Sequence, residues 1–99
     1  MKQITVQELK QLIDAKTDFQ LIDVREQHEF DEVNLNGILI PMGEVMGRLA
    51  EIDKNKQVVI HCRSGARSAN VINALERQGY SNLYNLQGGI MAYINQIGL

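Results

Sequence analysis

Val58-Val59-Ile60-His61-Cys62-Arg63-Ser64-Gly65-Ala66-Arg67-Ser68 reads as a strand that runs into a helix through a tight loop. Its first five residues are apolar almost without interruption and rich in β-branched side chains. Continuous rather than alternating apolarity marks a strand covered on both faces, as in a parallel sheet flanked by helices. Cys62 stands at the carboxyl end of that strand. In open α/β sheets ligands bind at this end, and a helix starting just after it directs unpaired N–H groups and about half a positive charge toward it. The same field favours thiolate over thiol, since a free cysteine titrating near ~8.5 falls to roughly 3.5–7.5 at helix N-termini or beside arginine. Arg63 and Arg67 supply the arginine. Gly65 lets the chain turn so that successive N–H groups converge on one point. The reading is a nucleophile in an anion cradle; the alternative is a buried cysteine at a strand end followed by a solvated basic turn.

Outward from this stretch, elements of both kinds alternate. Thr5 and Glu8 form a capping-box pattern ahead of Val6, Leu9, Leu12 and Ile13, predicting a helix over about residues 6–15. Further strands are expected over Phe19–Asp23, Ile38–Ile40 and Leu83–Asn85. Helical segments are expected near His28–Glu32, Glu44–Ala50 and Ala66–Gln78, the last closed by Gly79, and a terminal helix opened by Gly88-Gly89 buries Ile90, Met91, Tyr93 and Ile94. This alternation implies an α/β fold with a mainly parallel sheet. The 99 residues are expected to form one domain, 1–99, with no internal linker, and no repeat is visible.

Composition narrows the function. A hydrophobic fraction of 44% with 22% charged residues suits a globular protein, and a net charge of -2 argues against nucleic acid or an anionic membrane as partner. The first residues lack a secretory signal and no run approaches the ~18 apolar residues of a membrane span, so a cytoplasmic location is expected. The single cysteine excludes an internal disulfide, a CxxC redox pair and a cysteine-based zinc cage. No metal ligand set is read, and a monomer is the default for a domain of this size.

At the loop, Cys62-Arg63-Ser64-Gly65-Ala66-Arg67-Ser68 resembles the active-site segment of rhodanese-type sulfurtransferases, in which Cys-x4-Arg-Ser/Thr takes a sulfane sulfur from a donor such as thiosulfate. Leu21-Ile22-Asp23-Val24-Arg25-Glu26 resembles the family's second-strand motif and Tyr84-Asn85-Leu86-Gln87-Gly88-Gly89-Ile90 its C-terminal motif, so the likeness spans about residues 3–95. It implies a five-stranded sheet with helices on both faces. It also implies that Cys62 accepts and donates sulfur and that the N–H groups of Arg63, Ser64, Gly65, Ala66 and Arg67 hold the persulfide. The Arg63 and Arg67 side chains would attract a small anionic donor such as thiosulfate. The persulfide needs no cofactor, and with no resolving cysteine the sulfur leaves to cyanide, a thiol or a partner protein's cysteine. A second reading keeps the fold as a binding or regulatory module without turnover. A third, a phosphatase or arsenate reductase, resembles a Cys-x5-Arg loop, one residue longer than the spacing from Cys62 to Arg67.

Asp23 and Arg25 either support the Cys62 loop or act structurally, and the structural reading is preferred: Arg25 paired with Glu26 or Glu29, and Asp23 holding turn N–H groups. His61 alternates to the face opposite Cys62 and is expected to be a satisfied core residue rather than a general base. His28 is expected in solvent, and Met42, Met46 and Met91 as core filler. Two departures from the family pattern stand out: Val33-Asn34-Leu35-Asn36-Gly37 where members commonly carry Gly-His-Ile-Pro-Gly, and Tyr93 where tryptophan is frequent.

Overall fold

Thr5 Oγ1 accepts the Glu8 N–H at 3.1 Å while Glu8 Oε1 accepts the Thr5 N–H at 2.9 Å, so the first helix begins where the capping box places it. A computed structural model describes the whole chain, Met1–Leu99. In order the elements are β1 (Lys2–Ile4), α1 (Val6–Asp14), β2 (Gln20–Asp23), α2 (Gln27–Glu32) and β3 (Ile38–Leu39). Two 3₁₀ helices follow (Met42–Gly47 and Leu49–Glu51), then β4 (Val58–His61), α3 (Ala66–Arg77), β5 (Leu83–Leu86) and α4 (Gly89–Gln96).

All five strands are parallel, in the order β1-β5-β4-β2-β3. β4 is the middle strand, which explains its unbroken apolar sequence: Val58, Val59 and Ile60 have no solvent exposure. Val58, Ile60 and Cys62 face a cluster with Val71, Ile72 and Leu75 of α3 and Val45 and Ile52 of the 3₁₀ region. Val59 faces the other way, onto Val6 and Leu9 of α1 and Ile90 and Tyr93 of α4. A slip of one residue would exchange these faces, and burying each such side chain stabilises by about 1.5–3 kcal/mol, so the register that sets Cys62 at the strand end is strongly held.

Three expectations are corrected. β1 adds a strand that periodicity did not reveal, because only Ile4 of its three residues is buried; its pairing with β5 defines it. The Glu44–Ala50 segment is two 3₁₀ turns rather than one helix. The methionines are exposed, not core: Met42 40%, Met46 49% and Met91 37%. With three residues per turn a 3₁₀ helix rotates Met46 off the face on which Val45 is buried, and on α4 the inward face carries Ile90 and Tyr93.

The departing segment before β3 supplies its own turn. Asn34 Oδ1 accepts the Asn36 N–H at 2.8 Å and Asn34 Nδ2 donates to Phe30 O at 2.9 Å, while Asn36 takes a left-handed φ of 63°.

Candidate active site

The carboxyl ends of β2, β4 and β5 converge on one edge of the sheet, and the Cys62 loop leaves from the middle of it. Cys62 follows the last paired residue of β4, and α3 starts four residues later at Ala66. Gly65 caps that helix with a φ of 115°, a conformation that side chains resist. The turn aims main-chain groups at the sulfur: Cys62 Sγ accepts the Gly65 N–H at 3.1 Å and the Ser68 N–H at 3.5 Å, and lies 3.4 Å from Ser68 Oγ. The N–H groups of Arg63, Ala66 and Arg67 have no main-chain acceptor, so the cradle has unused donors.

Burial, with Cys62 only 1% exposed, pushes its thiol up; hydrogen bonds from the Ser68 hydroxyl and from the Ser68, Gly65 and Ser64 N–H groups outweigh it, and the net pKa is lowered. Hydrogen bonding to the charged form therefore leads here, ahead of the arginines to which the sequence pointed.

The two arginines differ. Arg67 is held by Glu29 of α2 in a bidentate pair, NH1 to Oε1 at 2.7 Å and NH2 to Oε2 at 2.9 Å. Its hydrogen bonds to Arg67 bring the Glu29 carboxyl down to about 2 despite partial burial, and the Arg67 guanidinium is raised in return. Arg63 is exposed and makes no side-chain hydrogen bond or ion pair, which leaves it as the uncommitted cation of the loop. Ser64 and Ala66 are exposed beside it.

Asp23 and Arg25 do not reach the sulfur. Asp23 pairs in register with His61, on the sheet face opposite Cys62, and its carboxylate takes Arg25 Nε at 3.0 Å, Arg25 NH2 at 2.9 Å and the Arg25 N–H at 3.0 Å. Arg25 NH2 also donates to Val33 O at 2.7 Å, tying the turn after β2 to the end of α2. Arg25 thus pairs with Asp23 rather than with Glu26 or Glu29, because a carboxylate with no solvent exposure needs an immediate counter-charge.

His61 is buried, but not satisfied: neither ring nitrogen has a hydrogen-bond partner, and Nε2 lies 3.8 Å from Asp23 Oδ2. Burial drives its pKa down against the pull of Asp23, which keeps the ring neutral. His28 is exposed.

The sequence reading missed the support around this loop. Gly89, with φ 62°, lies so close that a Cβ there would sit 2.3 Å from Arg63 O and 2.7 Å from Cys62 O. Its bareness lets the α4 N-terminus donate Ile90 N–H to Cys62 O at 3.0 Å and Met91 N–H to Arg63 O at 3.1 Å. Ser68 and Asn85, both buried, belong to the same support. Ser68 Oγ lies 2.6 Å from Asn85 Oδ1 and 3.1 Å from Gly65 O, and Asn85 Nδ2 donates to Gly65 O at 3.2 Å. An amide inside the apolar strand Leu83-Tyr84-Asn85-Leu86 was the available signal, since a buried amide must find partners.

A five-stranded parallel α/β sheet with a cysteine in a main-chain anion loop at its carboxyl edge defines a class, and the comparisons identify it. The rhodanese-like domain family matches residues 5–96, and the chain belongs to that family. YtwF of Bacillus subtilis, whose name carries a provisional sulfurtransferase assignment, is 39% identical over 94 residues, covering 94% of this chain and 90% of the relative. The thiosulfate sulfurtransferase GlpE of Coxiella burnetii is 33% identical over 89 residues, covering 89% of this chain and 82% of its own. A rhodanese-like domain protein from Staphylococcus aureus superposes with a TM-score of 0.86 at 36% identity, covering 94% of this chain and 91% of that one. Other relatives are longer: the chain spans 25% of the Mycobacterium tuberculosis protein MoeZ. Sulfur transfer is the general chemistry that these relatives support. No helix is long and apolar enough to cross a membrane.

Proposed function

We propose that the chain is a sulfurtransferase that carries a sulfane sulfur on Cys62, taking it from thiosulfate or a persulfide and giving it to a thiol, a partner protein's cysteine or cyanide. The observation that carries this reading is the pair of main-chain donors on Sγ, Gly65 N–H at 3.1 Å and Ser68 N–H at 3.5 Å, with Ser68 Oγ beside them at 3.4 Å. Donors in this arrangement favour a thiolate and, once a second sulfur is attached, offer the remaining loop N–H groups to its negative charge.

With thiosulfate, the Cys62 thiolate attacks the sulfane sulfur and forms a new S–S bond. The bond to the sulfonate group breaks, and its electron pair leaves with sulfite. An acceptor thiolate or cyanide then attacks the outer sulfur, and the electron pair of the Cys62 bond returns to Cys62 as thiolate. No metal or organic cofactor enters either step. Arg63, uncommitted at the mouth, attracts the anion, while Arg67 is tied to Glu29 and acts by holding α2 against the loop. The short Cys-x4-Arg loop supports a sulfur atom as cargo over a tetrahedral phosphate.

Intact-mass measurement after incubation with thiosulfate should show one added sulfur on the chain, removed by cyanide and absent in Cys62→Ala. Failure to load sulfur from thiosulfate and from an organic persulfide would sink the proposal; cleavage of an aryl phosphate dependent on Cys62 would replace it with phosphatase chemistry.

A further inference from the structure

We propose that Asn85 is a positioning residue that commits the hydroxyl hydrogen of Ser68 and thereby governs how strongly Ser68 holds a negative Cys62 sulfur. The inference rests on Cys62 being the reacting sulfur. It follows from counting hydrogens. Ser68 has one hydroxyl hydrogen and three acceptors within reach: Asn85 Oδ1 at 2.6 Å, Gly65 O at 3.1 Å and Cys62 Sγ at 3.4 Å. The orientation of the Asn85 amide is set by its other end, because Nδ2 donates to Gly65 O at 3.2 Å; reversing the amide would set two oxygens against each other. Asn85 therefore presents an acceptor to Ser68, at the shortest of the three distances.

When Cys62 is a thiol, every group is satisfied in one chain: the S–H donates to Ser68 Oγ, Ser68 O–H donates to Asn85 Oδ1, and Asn85 Nδ2 donates to Gly65 O. When Cys62 is a thiolate, Ser68 can hold it only by turning its hydrogen from Asn85 to Sγ. That turn leaves Asn85 Oδ1, in a residue only 5% exposed, without a donor. Asn85 and the sulfur thus compete for one hydrogen, and Asn85 moderates the thiolate that the main-chain donors favour. A moderated thiolate is a better nucleophile per ionised sulfur, since nucleophilicity falls with pKa.

No charged group duplicates this control. Arg67 on α3 is closed onto Glu29 of α2, Asp23 and Arg25 at the end of β2 close onto each other, and Arg63 of the loop is exposed and makes no bond to the sulfur. β5 contributes the neutral Asn85 alone among its residues facing the loop, and the 3₁₀ segment contributes the apolar Val45.

The test is the titration of the Cys62 thiol, followed by thiolate absorbance and by alkylation rate against pH, in the full chain. Asn85→Ala frees the Ser68 hydrogen and should lower the Cys62 pKa by about half to one unit, the effect of one added hydrogen bond to the charged form. Ser68→Ala should raise it, and Asn85→Ala should have no further effect in the Ser68→Ala background. An unchanged or raised pKa in Asn85→Ala, or an equal shift with Ser68 absent, overturns the proposal. If Asn85→Ala does not fold, the isosteric Asn85→Asp carries the test: it should raise the pKa, and by less when Ser68 is removed; an equal rise in both backgrounds overturns it. Alkylation needs no sulfur donor, so a protein that fails to load sulfur refutes the proposed function without touching this result.

Discussion

Placing one methyl group at residue 89 tests how the end of α4 supports the cysteine loop. In Gly89→Ala the new Cβ would meet Arg63 O at 2.3 Å, Arg63 C at 2.5 Å and Cys62 O at 2.7 Å, all main-chain atoms that cannot swing aside. The φ of 62° costs an alanine about 1–2 kcal/mol by itself. Relief of the overlap requires α4 to retreat from the loop, which strains or breaks the bonds from Ile90 N–H to Cys62 O and from Met91 N–H to Arg63 O, each worth about 0.5–1.5 kcal/mol net. With the packing disturbance, the expected loss is about 3–5 kcal/mol. That is a large part of the ~5–15 kcal/mol that holds a domain together. Gly79→Ala is the control, because φ there is also positive, at 95°, and nothing lies within 4 Å of the added Cβ. It should lose only the backbone component, about 1–2 kcal/mol. Urea unfolding measures both, with midpoints falling and slopes unchanged. Alkylation of Cys62 in the folded protein should also quicken in Gly89→Ala and stay unchanged in Gly79→Ala. Equal losses in the two variants, or an unaltered alkylation rate in Gly89→Ala, would refute the reasoning that α4 clamps the loop.

Two further outcomes follow from the ion pairs and the buried ring. Glu29→Gln should free Arg67 and destabilise by about 1–2 kcal/mol near neutral pH, a value discounted for the partial exposure of the pair. Because the Glu29 carboxyl is depressed from 4.5 to about 2, its contribution is complete above 4.5 and is lost as pH falls toward 2, so the stability difference between wild type and Glu29→Gln should shrink over that interval; a difference that does not change with pH counts against the pair. His61 is held neutral below its ordinary 6.5, so the unfolded chain takes up a proton there that the folded chain refuses, and stability is lost as pH falls below 6.5. His61→Leu should flatten that slope and be neutral or stabilising by about 1 kcal/mol, since it removes two buried nitrogens without partners; a loss above about 2 kcal/mol would show that the ring is bonded after all.

The legible parts of this fold were those written in local chemistry. Thr5 and Glu8 marked the start of α1 because both partners of the capping box lie within one turn. Val58 to Ile60 marked the central strand because a strand covered on both faces has no polar side to alternate with. β1 was illegible from periodicity, since it is a strand only by virtue of β5, some eighty positions away in the register Lys2 to Tyr84. Met46 was misplaced because a 3₁₀ turn and an α turn send the same spacing to different faces.

For the site, the sequence by itself determined that Cys62 ends a buried strand ahead of a glycine-bearing loop and a helix, because strand, turn and helix N-terminus are all local properties. Only the tertiary structure decided which groups act on the sulfur. Arg67 is spoken for by Glu29, 38 positions earlier; Ser68 is shared with Asn85, 17 positions later; and α4 closes on Cys62 O and Arg63 O through Gly89. The physical reason is that a hydrogen bond or ion pair is settled by competition among all partners within about 3 Å, and those partners arrive from strands and helices that adjoin in space and not in the chain.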